Sequence, residues 1–599
     1  MLHSFHIPVM GLGFTLETPI KVARFGISSV MSIVEDELVE AMRKYHTERL
    51  GLPFKPILKT DPDFRASRVR AYLNLVQRIV DQQMEVLRAE PFTPGSEIVK
   101  FFEMLPDESP AKQAYLKMLA LPEAEQQAAQ DALRAYVQPG SLDVNIMSKV
   151  DKNNYTKSGE LLPAEFSDAL SALRGFAQSN LTSSVVFSAG YNPRLYGYLD
   201  QFPDFYPDAN GNLKKRVTLK VSDFRSAFTQ GKILAKRGIW VSEYRIESGL
   251  NCGGHAFATD GLLLGPIMEE FKHKRAGMVQ ELFEMCNKTL SDKGLPVFAQ
   301  PPKVAVTVQG GIGTVSEDQF LRTYYQVDGT GWGSPFLLVP EATTIDDPTL
   351  LALSTAEKED FYVSHASPLG VPFNNFRKTT SAIQRDTRTA KGKPGSPCYK
   401  QFLVANTEFT EKPICTSSRQ YLHAKFKHLE TLGLSPEELQ AEKDKLTEKD
   451  CLCEGLGAGT LVKNGITPAY NLTASLVCPG PNLAYFSGVF SLRQMVDHIY
   501  GRTNLLNARE RANMFINELE LYVAHLQNEM EASLNEWNNK KVRYFNTFKS
   551  NLQNGIGYYR DTLAQYLPDS EEMKQSFRSA LQAFEEKLES IQVEALTPA

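Results

Sequence analysis

Eight short apolar runs, rich in valine and isoleucine and separated by amphipathic stretches, recur over residues 1–345. They fall at residues 7–10, 27–34, 144–147, 184–187, 217–221, 239–246, 303–308 and 335–339. Runs this short, with helices between them, describe parallel strands covered on both faces. Eight of them suggest an α/β chain closed into a (β/α)8 TIM barrel, with an open doubly wound sheet as the rival arrangement. Residues 15–24 read as the first helix, with Pro19 in its opening turn, and residues 222–237 as a later one with Ser222 as N-cap.

Two departures from this rhythm divide the chain. After the second run, residues 35–139 are charged and helical, with apolar positions at helical spacing over 69–88 and an Ala- and Gln-rich stretch at 123–136. Beyond Glu341 the alternation stops. Residues 346–490 are irregular and hold five of the seven cysteines, and residues 491–599 return to helix, with long periodic segments at 508–544 and 571–591. The expected organisation is a barrel start at 1–34, a helical insertion at 35–139, the rest of the barrel at 140–345, a Cys-containing extension at 346–490 and a helical region at 491–599. The last helices read as a packing or oligomerisation layer.

A net charge of −5 gives no global basic excess to draw in nucleic acid. No apolar run approaches the ~20 residues that span a bilayer. The N-terminus lacks the basic and apolar regions of a signal peptide. Seven cysteines at uneven spacing do not form a secreted disulfide framework. A cytoplasmic location is the expectation, and the sequons at Asn287 and Asn471 then carry no meaning.

Chemistry concentrates in three glycine-rich loops. Asn251-Cys252-Gly253-Gly254-His255 follows the sixth run, at the barrel end where active sites form. Adjacent glycines admit a flat ligand close to the backbone, and the imidazole beside them suits proton movement near neutral pH. Gln309-Gly310-Gly311-Ile312-Gly313 follows the seventh run, and Gly331-Trp332-Gly333-Ser334-Pro335-Phe336 sits at the eighth. Loops seven and eight commonly form a phosphate site in such barrels, through glycine amides and a helix N-terminus.

These segments resemble the nitronate monooxygenase (2-nitropropane dioxygenase) family and its relatives, the flavin-type enoyl-acyl-carrier-protein reductases. Those proteins carry Glu-(Ala/Ser)-Gly-Gly-His, then Ala-Gly-Gly-Ile, then Gly-Thr-Arg-Phe. The opening Ile7-Pro8-Val9-Met10-Gly11-Leu12-Gly13 resembles the family's first strand and turn, and Val144-Asn145-Ile146-Met147 its Val-Asn-Leu strand. The resemblance covers the barrel, about half the chain. It implies FMN held by its phosphate between the seventh and eighth loops, with Gly11, Asn145, Gly253, Gly254, Gly310, Gly311, Gly313, Gly333 and Ser334 around it. It also implies His255 as the proton-transfer residue at the flavin face. Asn251-Cys252 and Pro335 depart from the family pattern, so the substrate does not transfer.

Lys149 and Lys220 stand at strand ends, where either could meet the flavin edge or a substrate anion. Arg245 and Glu247 flank the His255 loop. In the extension, Cys415, Cys451, Cys453 and Cys478 form a candidate ligand set for an iron–sulfur cluster, with Cys398 as an alternate, because thiolates bind such clusters in fours. Cys286 reads as a structural thiol in a helix. The leading expectation is an FMN oxidoreductase, acting on a small or acyl-type substrate, served by an electron donor and assembled as a homo-oligomer. The alternatives are a non-redox phosphate-ligand isomerase or lyase, and an RNA-modifying flavoenzyme, for which no basic stripe speaks.

Overall fold

In the computed structural model, the described residues are 2–593 apart from 157, 189, 535, 536, 568 and 569. Eight parallel strands close into a barrel in sequence order. They are β1 (Phe5–Ile7), β2 (Ser28–Ser32), β3 (Leu142–Met147), β4 (Ser184–Ser188), β5 (Arg216–Val221), β6 (Val241–Glu247), β7 (Ala305–Gln309) and β8 (Gly329–Gly331). Closure is made by β1 against β8, where Phe5 pairs with Thr330 and His6 with Gly331. The open-sheet alternative is thereby excluded.

Strands β2 to β7 lie where the apolar runs are; β1 shares only Ile7 with the run at 7–10, and the eighth strand misses its run altogether. The run at 335–339 belongs instead to a 3-10 helix, Ser334–Leu338, whose first turn accepts Pro335 because that N–H needs no partner. The true β8 is Gly-Thr-Gly and shows no apolar pattern. A Cβ on Gly331 would strike the Gln309 side chain at 2.8 Å and the His6 imidazole at 3.0 Å, so this strand is glycine to let larger neighbours fill the barrel. The N-cap of the helix Phe224–Ala235 is Asp223, not Ser222; its carboxylate accepts the Ser226 amide.

The insertion is helical as expected. It opens with Asp36–Arg49, capped by the Glu35 carboxylate, and continues with Phe64–Ala89 and three shorter helices. Beyond the barrel lies an antiparallel pair, β9 (Phe361–Ser364) and β10 (Phe373–Phe376), among further helices. The segment expected to be one long helix at 508–544 is two, Met514–Ala532 and Asn539–Asp561, and a third helix is Glu571–Ser590. Among the described residues no helix is long and apolar enough to cross a membrane.

The extension is not a separate layer. Its helix Leu452–Lys463 sits on the Gly11-Leu12-Gly13 turn, where the Leu12 and Gly13 amides donate to the Leu456 carbonyl at 3.2 and 3.0 Å. A Cβ on Gly13 would lie 2.3 Å from Thr460 Oγ1, which is why this position carries none.

Candidate active site

A cavity of about 740 Å³ opens at the C-terminal ends of the barrel strands, within the ~300–1,000 Å³ of small-molecule sites. Gly11, Asn145, Lys220, Gly253, Gly254, His255, Gly310, Gly311, Gly333 and Ser334 all line it. Gly313 does not. Lys149 and Glu247 are in the wall as well; Arg245 lies deeper in β6, paired with Glu243.

Strand periodicity explains the polar floor. Residues two apart share a face, so Glu243, Arg245 and Glu247 of β6 stand beside Thr218 and Lys220 of β5 and Thr307 and Gln309 of β7. At the upper level, Lys220 Nζ lies 2.7 Å from Glu247 Oε1, and Gln309 Nε2 donates to the same oxygen at 2.6 Å. Asn145, on β3, presents a buried Oδ1 with no hydrogen-bond partner among the described residues. Such an atom costs free energy unless something outside the chain satisfies it.

The His255 loop is held by the extension rather than by the barrel. The Asn374 amide donates to the Gly254 carbonyl and the Ala256 amide to the Pro372 carbonyl, both at 2.8 Å, so the loop runs as an added strand beside β10. On its other side the Gly254 amide donates to the Cys478 carbonyl at 3.0 Å. The imidazole meets the Phe373 ring edge-on at 5.2 Å, and Nε2 lies 2.7 Å from Ser367 Oγ. Burial, aided by the Lys149 charge, pulls the His255 pKa down to about 4. The ring is therefore neutral near pH 7. Lys149 itself has its ammonium 4.6 Å from the centroid of the Phe257 ring.

Most of the site glycines also answer to the protein's own packing. A Cβ on Gly311 would lie 2.2 Å from Asn251 Nδ2, one on Gly310 2.8 Å from Cys252 Sγ, and one on Gly253 2.5 Å from the Cys478 carbonyl. Gly254 is different: its φ is +81° and a Cβ there would meet open space. Gly313 leaves the site altogether. Arg511 fills the space at its α-carbon, its amide donates to Glu317 Oε2 at 2.8 Å, and His498 Nε2 contacts its carbonyl at 3.0 Å. The helix Val315–Thr323 that follows opens with a capping box, in which Thr314 Oγ1 accepts the Glu317 amide and Glu317 accepts the Thr314 amide.

Other donors remain. Among the described residues, the amides of Gly310, Gly311, Ile312 and Gly333 make no hydrogen bond. Ser334 Oγ accepts the Gly480 amide at 2.8 Å, so it acts first as a clamp on the extension.

The cysteines do not assemble as expected. Cys453 and Cys478 both line the cavity, Cys478 against Gly253 and Gly254, while Cys415 and Cys451 lie outside the cavity wall. Among the described residues no group of three or more His, Cys, Asp or Glu side chains is placed to hold a metal ion. The irregular region is instead tied to the barrel mouth, through the Leu456 and Cys478 carbonyls. Cys286 is buried in its helix, in keeping with a structural role.

Four residues escaped the sequence reading. Ser367 holds His255; Arg511 and Glu317 lock the loop after β7 through a buried ion pair of 2.8 Å. Glu518, in the helix Met514–Ala532, accepts the Ser248 hydroxyl at the root of the His255 loop. The last helices are therefore a packing layer that also reaches the site. No local motif announces these residues; a charged side chain buried in an otherwise apolar helical face is the one available signal, and Glu518 fits it.

Fold and cavity together define a (β/α)8 barrel with a small-molecule site at its mouth, roofed by its own C-terminal extension. No family model matches the chain, and no curated protein does. Solved structures similar to it include FabK from Thermotoga maritima, at 12% identity and a TM-score of 0.29, covering 64% of this chain and 81% of that one. The enoyl reductase domain of MlnA, from the macrolactin biosynthesis cluster of Bacillus amyloliquefaciens, is 14% identical with a TM-score of 0.33, covering 73% and 88%. Nitroalkane oxidase from Streptomyces ansochromogenes is 9% identical with a TM-score of 0.33, covering 83% and 94%.

Proposed function

We propose that this chain is an FMN-dependent oxidoreductase acting on a small or acyl-type organic substrate. The observation that carries the reading is the convergence on one cavity of Asn145, Lys220, Gln309 and His255 with the unsatisfied amides of Gly310, Gly311, Ile312 and Gly333. The donor set fits the group. Free amides suit a phosphate; Lys220, Asn145 and Gln309 suit the polar edge of an isoalloxazine; and Gly254 leaves a bare backbone surface for a flat ring. FMN, when bound, supplies hydride or single-electron chemistry that no side chain here provides.

The chain's own residues supply position and protons. Lys220 is held by Glu247, and Gln309 is oriented by the same carboxylate, so the polar edge is fixed before any ligand enters. Ser367 Oγ accepts the Leu369 amide at 3.3 Å and lies 2.7 Å from His255 Nε2, which holds the ring in place. The neutral imidazole, held through Nε2, is suited to polarise a substrate carbonyl or nitro oxygen or to hand over a proton. Among the described residues the thiols form no group placed to hold a metal ion.

The test is direct. Protein purified without added flavin, or soaked with FMN, is heated and the released chromophore chromatographed. FMN at one per chain is expected. FAD in the extract, or a colourless protein that takes up no FMN, overturns the reading and favours a non-redox barrel.

A further inference from the structure

Cys398 and Cys415 belong to no part of the site above, yet the fold brings them together from opposite ends of a loop. The segments that carry them are paired: Ser396 bridges Ser418, the Ser396 amide donates to the Ser417 carbonyl at 3.0 Å, and the Arg419 amide to the Ser396 carbonyl at 2.9 Å. Cys398 stands two residues beyond Ser396 and Cys415 two before Ser417, and the two thiols lie close enough to act on one another's ionisation. The Cys415 sulfur also lies 3.2 Å from Ser417 Oγ. All seven cysteines are free thiols. Cys398 is partly open to solvent, whereas Cys415 is buried, so a small reagent reaches the pair from the Cys398 side.

We infer that Cys398 and Cys415 form a redox modification site, a dithiol that a peroxide converts to an intramolecular disulfide. The balance is simple. One thiolate attacks hydrogen peroxide, giving a sulfenic acid and releasing hydroxide, which takes up the thiol proton as water. The second thiol then displaces the sulfenic oxygen as a second water and closes the S–S bond. Two thiols are oxidised and one peroxide is reduced. The neighbouring Cys398, the hydrogen bond with Ser417 and the nearby Lys449 charge hold Cys415 below the ordinary thiol value, which makes it the better nucleophile.

The site is coupled to the cavity by position. Thr416 Oγ1 donates to the Pro368 carbonyl at 3.0 Å, and Lys449 Nζ to the Ser367 carbonyl at 3.1 Å, so the segment after Cys415 abuts the serine that holds His255. On the other arm, Phe402 and Leu403, just past Cys398, line the cavity wall. A disulfide would tie those two walls together.

Reduced full-length protein is treated with a few equivalents of hydrogen peroxide, alkylated, digested and mapped by mass spectrometry, alongside a thiol titration. The expected result is loss of two titratable thiols, a crosslinked peptide joining Cys398 to Cys415, and recovery of both thiols with dithiothreitol. Ser417→Ala should slow that loss, and Cys398→Ser should abolish the crosslinked peptide. Alkylated Cys398 and Cys415 after peroxide, or a crosslink that joins Cys451 to Cys453 instead, overturns the inference. Wild-type mapping alone decides it, so a poorly folding variant leaves the test intact.

Discussion

Ser248 Oγ donates to Glu518 Oε1 at 2.6 Å, a contact spanning 270 residues of sequence. It joins the root of the His255 loop to the C-terminal helices, through a carboxylate that is 2% exposed. The Leu264 amide also donates to that group, at 2.9 Å. These bonds do not offset the loss of water, and burial pushes the Glu518 pKa up to about 7 from 4.5.

The first prediction follows from that shift. A carboxyl whose folded pKa is raised binds more protons folded than unfolded, so its contribution to stability is full below 4.5 and is lost as pH rises towards 7. The size is about 3 kcal/mol, at ~1.4 kcal/mol per unit. Glu518→Gln should remove this slope. Urea midpoints check it as a difference, because buried histidines such as His255 add a slope of opposite sign: the wild type should lose stability relative to Glu518→Gln as pH rises from 5 to 7, and a constant difference contradicts the assignment.

His255 should titrate far from a free imidazole. Histidine-resolved NMR of the protein is expected to show its midpoint near 4 where 6.5 is ordinary. Because burial is the larger cause and Lys149 the smaller, Lys149→Met should raise the midpoint only part of the way. His255→Ala should keep the flavin and lose turnover by ~10²–10⁴-fold. Unchanged turnover with flavin bound would take His255 out of the chemistry.

Two glycines separate packing from ligand approach. Gly311→Ala places a methyl 2.2 Å from the Asn251 side chain at φ +78°, so it should destabilise even the flavin-free protein. Gly254→Ala meets nothing within 4 Å and carries only the left-handed backbone penalty, ~1 kcal/mol. Thermal melts with and without FMN should show Gly311→Ala low in both states, and Gly254→Ala near wild type without FMN but stabilised less by it. The reverse pattern would mean that the bare surface at Gly254 faces no ligand.

Removing Lys220 should weaken flavin binding without unfolding the barrel. Lys220→Met leaves Glu247 with the Gln309 amide as its remaining partner, and loss of a charged hydrogen bond costs ~1.5–3 kcal/mol. Fluorescence titration of stripped protein with FMN should show the dissociation constant rising about tenfold or more. An unchanged constant would place Lys220 away from the flavin.

How much of this was legible varies with the range of the forces involved. Strands β2 to β7 announce themselves because a strand packed on both faces must be apolar along its length, and Val185, Val217 and Val308 are fully buried accordingly. β8 does not, because Thr330 stands between two glycines, Gly331 making way for His6 and Gln309 and Gly329 for the Ser4 carbonyl. The glycine loops were legible as loops at the barrel mouth, but their reason was not: only coordinates show that Gly253 yields to Cys478 and Gly313 to Arg511. Cys478 followed by proline invited a metal reading, yet its backbone carbonyl is what the site uses. Ser367 lies 112 residues from His255, and nothing local marks a serine as the partner of a distant imidazole.

The pairing of Gly254 with Asn374 and Cys478 has a consequence for the order in which the protein is made. On the ribosome, every strand of the barrel is complete once Gly331 has emerged, and the sheet can close. The loop that presents His255 then still lacks both of its flanking partners, one of which is synthesised near the end of the extension. Chains stalled between Asn374 and Cys478 would carry every barrel strand while the His255 loop had one of its two flanking partners, so the mouth is completed only after most of the polypeptide exists.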